Sequence, residues 1–200
     1  FEINKKKMLS SKESLKILRE SNALLEGHFI LSSGLHSSMY VQCAQLLSKP
    51  SKALKICESL AEKIKKEFKK VDLILAPAIG GIVIGYEIGR LLKVETIFSE
   101  RVNGAFILRR DFYIPKKTNV LIIEDVITTG KSSLECSDLV HSAGANILGY
   151  ACIIDRSNGK SDIKEKIVSQ LQIDIPTFNK DNIPKHLLNV KAIKPGSRGL

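Results

Sequence analysis

Long apolar runs are missing from this chain. Stretches such as 120–123 and 82–84 fall far short of the roughly 20 residues that a membrane-crossing helix requires, so no membrane partner is expected. The basic start, Phe1-Glu2-Ile3-Asn4-Lys5-Lys6-Lys7, is not followed by a signal-peptide apolar core, and the expected location is cytoplasmic. Cysteine is sparse and unpaired: Cys43, Cys57, Cys136 and Cys152 are widely spaced and contain no Cys-x-x-Cys, which argues against a disulfide framework and a zinc cluster. The expected state is four reduced thiols, mostly buried. Aromatic residues interleaved with basic ones, the mark of a single-strand-binding platform, are also lacking. The net charge of +10 sits largely in Lys5–Lys7, in the lysines around 63–70 and in Lys116-Lys117, a pattern of solvated faces. Nucleic acid is therefore not the expected partner, and an anionic small substrate accounts for part of the excess. There is no internal repeat.

What is present suits one core: 200 residues with 44% hydrophobic content suffice for a single domain. Ser10-Ser11-Lys12-Glu13 reads as a capping box before Leu15, Leu18 and Leu25, predicting a helix from about residue 11 that ends before Gly27. Two short extended pieces, around 29–31 and 39–42, are joined by Ser32–Ser37 and form a small appendage. From Ser51, the spacing of Leu54, Cys57, Ala61, Ile64 and Phe68 predicts a long amphipathic helix. Strand 71–76, turn 77–81, helix 82–92 and strand 94–98 make one βαβ unit. Strand 119–124, helix 131–143 and strand 146–154 make a second. Such alternation predicts an α/β core with a parallel sheet covered on both faces. Asn103-Gly104, between Val102 and Ala105–Leu108, predicts a projecting hairpin. Gly85 and Gly89 are expected to permit close packing. Beyond Asp155 the chain reads as polar and irregular up to 171–173, punctuated by Pro176, Pro184 and Pro195.

The densest stretch is 120–133, Val-Leu-Ile-Ile-Glu-Asp-Val-Ile-Thr-Thr-Gly-Lys-Ser-Ser. An apolar strand carries Glu124-Asp125 to its carboxyl end, where open parallel sheets bind ligands. The Thr128-Thr129-Gly130-Lys131-Ser132 loop then enters a helix whose first amides can receive an anion. The two acids suit sugar hydroxyls and the loop suits a phosphate, so one motif would grip a ribose phosphate. The competing reading has Asp125 or Thr129 simply capping the next helix, which leaves the paired acids unexplained. The triphosphate-binding loop is excluded, because its first glycine would fall at Asp125.

Residues 121–133 resemble the phosphoribosyl pyrophosphate signature of the type I phosphoribosyltransferases. Gly27–Ser37 with Tyr40 are similar to the N-terminal hood of the orotate-using members, Ala76-Pro77-Ala78-Ile79-Gly80-Gly81 to their pyrophosphate-side loop, and Ile153-Ile154-Asp155-Arg156-Ser157 to their base-binding segment. The resemblance spans roughly residues 10 to 160. It implies a parallel sheet flanked by helices with a small N-terminal hood, in one domain over 10–200 (hood mainly 10–50, core mainly 51–160, tail 161–200 of open role) after a basic extension, 1–9.

The resemblance further implies transfer of a phosphoribosyl group to orotate, giving orotidine 5′-monophosphate and pyrophosphate in pyrimidine biosynthesis. Phosphoribosyl pyrophosphate would be bound by Glu124, Asp125, Val126, Ile127, Thr128, Thr129, Gly130, Lys131 and Ser132, with Ile79, Gly80, Arg101 and Arg109. Thr128, Arg156 and Tyr40 would bind orotate, the guanidinium matching a carboxylate and ring carbonyls. Asp125, Glu124 and Arg101 are the catalytic candidates, and Mg²⁺ would enter through the substrate and Asp125. A homodimer with shared sites is implied as well. The chain departs from the common pattern at three points: the loop after Arg101 is short and lacks the usual lysines, Gly80 stands where many members have lysine, and Ser32 where many have a basic residue. His28 and His36 could approach substrate or bond locally, whereas His141 and His186 read as structural. A purine acceptor, or a phosphoribosyl pyrophosphate sensor that binds nucleic acid, are the alternative functions on the same fold.

Overall fold

Why these elements form is clearest at the first helix. In this computed structural model, which describes residues 8–31 and 33–195, the Ser10 hydroxyl accepts from Glu13 N at 3.2 Å while Glu13 Oε2 accepts from Ser10 N at 2.8 Å. That reciprocal box starts α1 (Ser11–Glu20), satisfying amides that the helix itself cannot. Then come β1 (Leu24–Ile30), β2 (His36–Val41), α2 (Cys43–Leu47), α3 (Pro50–Glu67), β3 (Leu73–Pro77), α4 (Gly80–Leu92), β4 (Glu95–Val102), β5 (Ala105–Leu108), β6 (Asn119–Ile127), α5 (Lys131–Ser142), β7 (Asn146–Asp155), β8 (Ile167–Gln172), β9 (Thr177–Phe178) and α6 (Lys185–Leu188). The lysines of 5–7 and the departure at Ser32 lie outside the described residues.

Six strands form the main sheet in the order β5-β4-β3-β6-β7-β8. β4, β3, β6, β7 and β8 run parallel, and only β5 at the edge is antiparallel. Side chains alternate between faces along a strand, and the two cores follow that parity. Ile74, Leu121, Ile123 and Ile153 pack with α1, α3 and α4. Leu73, Leu75, Val120, Ile122 and Tyr150 pack with α5 on the other face. Each fully buried Leu or Ile contributes roughly 1.5–3 kcal/mol, so this sheet holds the site on a rigid platform. Gly85 lets α4 lie directly on β3, since a Cβ there would approach Ala76 Cβ to 2.8 Å.

The structure departs from the sequence reading in three places. The buried seam of α3 runs through Ile56 and Leu60 as well as Cys57, Ala61 and Ile64, while Leu54 is only half-buried. β6 continues three residues beyond the expected 124, because β7 pairs with it as far as Ile127↔Asp155. Residues 167–172 form a sixth strand, although their polar Ser169 and Gln170 break the apolar run. Lys63 shields that outer strand, its Nζ donating to Ser169 O (3.0 Å) and Gln170 O (2.8 Å), a common protection of an open edge.

The tail returns to the hood. β9 pairs with β2 through His36↔Phe178 and Ser37↔Thr177, and Ile193 exchanges backbone hydrogen bonds with His28 and Ile30. The expected hairpin is present, with Val102↔Ala105 closing around Asn103-Gly104.

Candidate active site at the carboxyl end of the central strand

Consecutive strand residues face opposite sides, so Glu124 and Asp125 diverge. Glu124 has the parity of Ile122 and faces α5; burial, then the neighbouring Asp125 charge, pushes its carboxyl up to about 8, with the Ser133 hydroxyl pulling the other way. Asp125 has the parity of Ile123 and faces the start of α4. Burial raises its carboxyl above the usual range, opposed by the Val126 amide, which donates to Oδ1 at 2.9 Å. The acids thus straddle the strand instead of lying side by side. Beneath them Cys43, fully buried, points its thiol at Asp125 O at 3.9 Å.

The loop that follows is built to receive an anion. Thr128 and Thr129 are exposed, Gly130 takes a left-handed φ of 81° as the N-cap of α5, and the Thr129 hydroxyl accepts from Lys131 N at 3.4 Å. Asp125 accepts from Val126 N and takes no part in starting α5, while Thr129, one residue before the N-cap, reaches the Lys131 amide, so the capping reading holds in part for Thr129 and leaves the acids unexplained. Gly130 offers no side-chain oxygen at the cap, leaving the α5 amides that follow Lys131 available to an external acceptor. Its close fit is set from the far side: a Cβ at Gly130 would meet Ile163 Cδ1 at 2.8 Å. Glu124, Thr128, Thr129, Lys131 and Ser132 line a cavity here. A larger cavity of ≈ 570 Å³ lies along the outer edge of β8 beside Lys63 and Lys166 and shares no lining residue with it.

Across β3, the turn at Ala78–Gly80 contains a cis Ala78–Ile79 peptide, and Ala78 N donates to Ser99 O at 2.8 Å. Gly80 abuts Asp125 so closely that a Cβ would fall 2.7 Å from Oδ1. A lysine here would have to displace the acid, which explains the glycine.

Past β7, Asp155 shapes the turn by accepting from Ser157 N at 2.8 Å, with Gln172 Nε2 at 3.4 Å from its other oxygen. The turn brings Arg156 to the end of β6, where its amide donates to Ile127 O at 2.8 Å. Burial lowers the Arg156 guanidinium from its ordinary value, and Nε is buried without a hydrogen-bond partner among the described residues. Buried donors are normally paired, so this orphan marks a place for an acceptor.

The other expected residues stand farther out. Arg101 donates to Glu135 Oε2 at 2.6 Å, and Arg109 lies 3.5 Å from Glu100. Tyr40 packs in the hood against Phe29, ring centroids 5.7 Å apart. His28 and His36 bond to each other, Nε2 to Nδ1 at 2.6 Å, with His28 Nδ1 3.0 Å from Val190 O; the local reading of the pair is the one observed. Ser133 and Asp155 lay within the quoted motifs without a role assigned to them, and Glu135 and Ile163 escaped the sequence reading altogether.

Comparison with known proteins agrees with this geometry. The model of the phosphoribosyl transferase domain matches residues 44–187. The orotate phosphoribosyltransferase of Parvibaculum lavamentivorans is 44% identical over 191 residues, covering 95% of this chain and 98% of that protein. Its counterpart from Chlorobium phaeobacteroides is 45% identical over 192 residues, covering 96% and 98%. The crystal structure of orotate phosphoribosyltransferase from Aeropyrum pernix superposes with a TM-score of 0.70 at 23% identity, covering 79% of this chain and 92% of that one, a likeness of fold.

Proposed function

The chain belongs to the phosphoribosyltransferase family, among the orotate phosphoribosyltransferases, and from that premise we propose how the residues at the end of β6 carry the reaction. The protein transfers the phosphoribosyl group of phosphoribosyl pyrophosphate to orotate, yielding orotidine 5′-monophosphate and pyrophosphate. The observation that carries the assignment of roles is convergence: the glycine-capped start of α5, the two acids, the Gly80 turn and the orphaned Arg156 all meet at one strand end.

In this reading the amides of Thr129–Ser132 and the hydroxyls of the loop hold the 5′-phosphate, where the helix terminus favours negative charge. Glu124 and Asp125 accept from the ribose hydroxyls. The turn at 78–80 holds the diphosphate beneath Asp125, and Arg101 and Arg109 neutralise it from the hairpin. Arg156 pairs its fork of donors with the orotate carboxylate, Thr128 touches the ring edge, and Tyr40 covers its face. As the bond from C1 to the diphosphate oxygen breaks, its electron pair leaves with pyrophosphate and C1 becomes electron-poor. The pyrimidine nitrogen of orotate, giving up its N–H proton to solvent, then forms the new bond to C1. The residues act by positioning and by meeting developing charge with fixed donors.

Among the described residues no three His, Cys, Asp or Glu side chains gather into a metal site. The donors near the substrate are two carboxylates, one already bonded to Val126 N. That set fits Mg²⁺, which keeps its waters and takes most ligands from substrate oxygens, with Asp125 as its protein partner. Bound there, it would neutralise charge on the diphosphate.

We further place the protein in the cytoplasm as a homodimer. Its four cysteines are buried and free, and among the described residues no helix is long and apolar enough to cross a membrane. On α4 and its leading turn, Ile79, Val83 and Tyr86 are 85%, 52% and 66% exposed at helical spacing, an apolar stripe suited to a second copy. Offering the protein phosphoribosyl pyrophosphate, magnesium and one base at a time tests the acceptor: orotate should be consumed and adenine and guanine left, while consumption of a purine alone would overturn the assignment.

A further inference from the structure

The arginines of the β4–β5 hairpin are all matched by internal carboxylates. Arg101 Nη2 donates to Glu135 Oε2 at 2.6 Å and Nη1 to Gly104 O at 2.5 Å. Its guanidinium carbon lies 4.1 Å from the centre of the Phe106 ring. Arg110 donates from Nε and Nη2 to the two oxygens of Glu100, at 3.0 and 3.3 Å, and Arg109 Nη1 sits 3.5 Å from the same carboxylate. Three cations thus share two anions, and one of those anions comes from α5, the helix whose first turn forms the phosphate loop.

We propose that Glu135 is a positioning residue that competes with diphosphate for Arg101, holding the guanidinium between turnovers and taking it back when pyrophosphate leaves. The inference rests on the reading of Arg101 as part of the diphosphate clamp. The chemistry follows from charge. A guanidinium binds a carboxylate and a phosphate through the same fork of donors, so the two anions exclude one another at its terminal nitrogens. Both side chains are partly exposed, 39% for Arg101 and 27% for Glu135, and an ion pair in that setting is weak and readily exchanged. Phe106 and Gly104 O carry no charge, so they keep the arginine in place while its anionic partner changes. Glu100 does the same for Arg109 and Arg110.

The positioning role separates from a structural one because the carboxylate's charge, and not its size, sets the competition. Glu135→Gln keeps an acceptor for Nη2 and removes the charge. Magnesium pyrophosphate inhibition of orotate turnover, at two ionic strengths, is the readout, alongside KM and kcat for phosphoribosyl pyrophosphate. In Glu135→Gln the inhibition constant is expected to fall about three- to tenfold, with a lower KM and a lower kcat as product release slows, and the gain should shrink at high salt. Glu135→Asp should restore values near those of the unaltered protein. Arg101→Gln should weaken pyrophosphate in either background and abolish the effect of Glu135→Gln. An unchanged or weaker pyrophosphate inhibition in folded Glu135→Gln, with Arg101→Gln still impaired, would overturn the competition and leave the clamp intact. If Arg101→Gln left pyrophosphate binding unaltered, the clamp reading and the competition would both fall. Glu100→Gln supplies a second arm, expected to tighten pyrophosphate through Arg109.

Discussion

Gly80 and Asp125 touch across two neighbouring strands: a Cβ at residue 80 would lie 2.7 Å from Oδ1 and 2.9 Å from Cγ of the acid. The turn after β3 and the acid of β6 therefore form one surface. Gly80→Ala must push the carboxylate away, and a misplacement of that size near reacting atoms costs on the order of 10²-fold in rate. We expect kcat/KM for phosphoribosyl pyrophosphate to fall by about that factor with the far-ultraviolet circular dichroism unchanged. Asp125→Asn should impair turnover similarly, because it removes charge without adding bulk. Activity near the original level in either variant would refute the role given to this contact.

Arg156 carries a buried donor without a partner among the described residues. Hydrogen bonds to charged groups contribute about 1.5–3 kcal/mol, and each 1.4 kcal/mol is tenfold. Arg156→Ala should therefore raise KM for orotate about 10- to 100-fold and leave KM for phosphoribosyl pyrophosphate within about threefold. Steady-state kinetics with each substrate varied separately checks this, and equal effects on both would contradict it.

Glu124 makes the ligand-free fold sensitive to pH. Its folded carboxyl titrates at about 8 against an ordinary 4.5, so between those values the folded chain holds a proton that the unfolded chain has lost. Stability then declines as pH rises from about 4.5 to about 8. Glu124→Gln cannot ionise and escapes the decline. Half of such a shift is worth about 2 kcal/mol, so urea denaturation at pH 8 should find the variant more stable by roughly that amount. Near pH 5 the two should coincide; no gain at pH 8 would count against the buried placement of this acid.

His28 joins hood and tail through His36 and Val190 O. Because a carbonyl only accepts, Nδ1 of His28 carries the hydrogen that meets Val190 O, and one further hydrogen bridges its Nε2 and His36 Nδ1. His28→Leu leaves both partners unpaired and should cost about 1–3 kcal/mol, seen as a lower denaturation midpoint at an unchanged slope.

Much of this site was legible because its parts are local. The apolar run, the acids and the Thr-Thr-Gly loop are contiguous, and the Asn103-Gly104 turn announces its hairpin within four residues. What escaped depends on distant pairing. β8 carries Ser169 and Gln170 in a strand whose burial comes from β7 and α3, so its own composition looked irregular. β9 joins β2 across about 140 positions, which no window detects. The acids read as a pair because they adjoin in sequence, yet strand parity sends Glu124 to α5 and Asp125 to Gly80. Glu135 was overlooked because a lone glutamate on a helix looks solvated until the hairpin folds Arg101 onto it.

The central claim is that the cradle at the end of β6 passes a phosphoribosyl group to orotate. The most direct measurement is product stoichiometry with orotate, phosphoribosyl pyrophosphate and magnesium, following orotidine 5′-monophosphate and pyrophosphate together. The account predicts equal amounts of both from the unaltered protein, and little of either from folded Asp125→Asn. Folded, unaltered protein that binds phosphoribosyl pyrophosphate but releases neither product would contradict it.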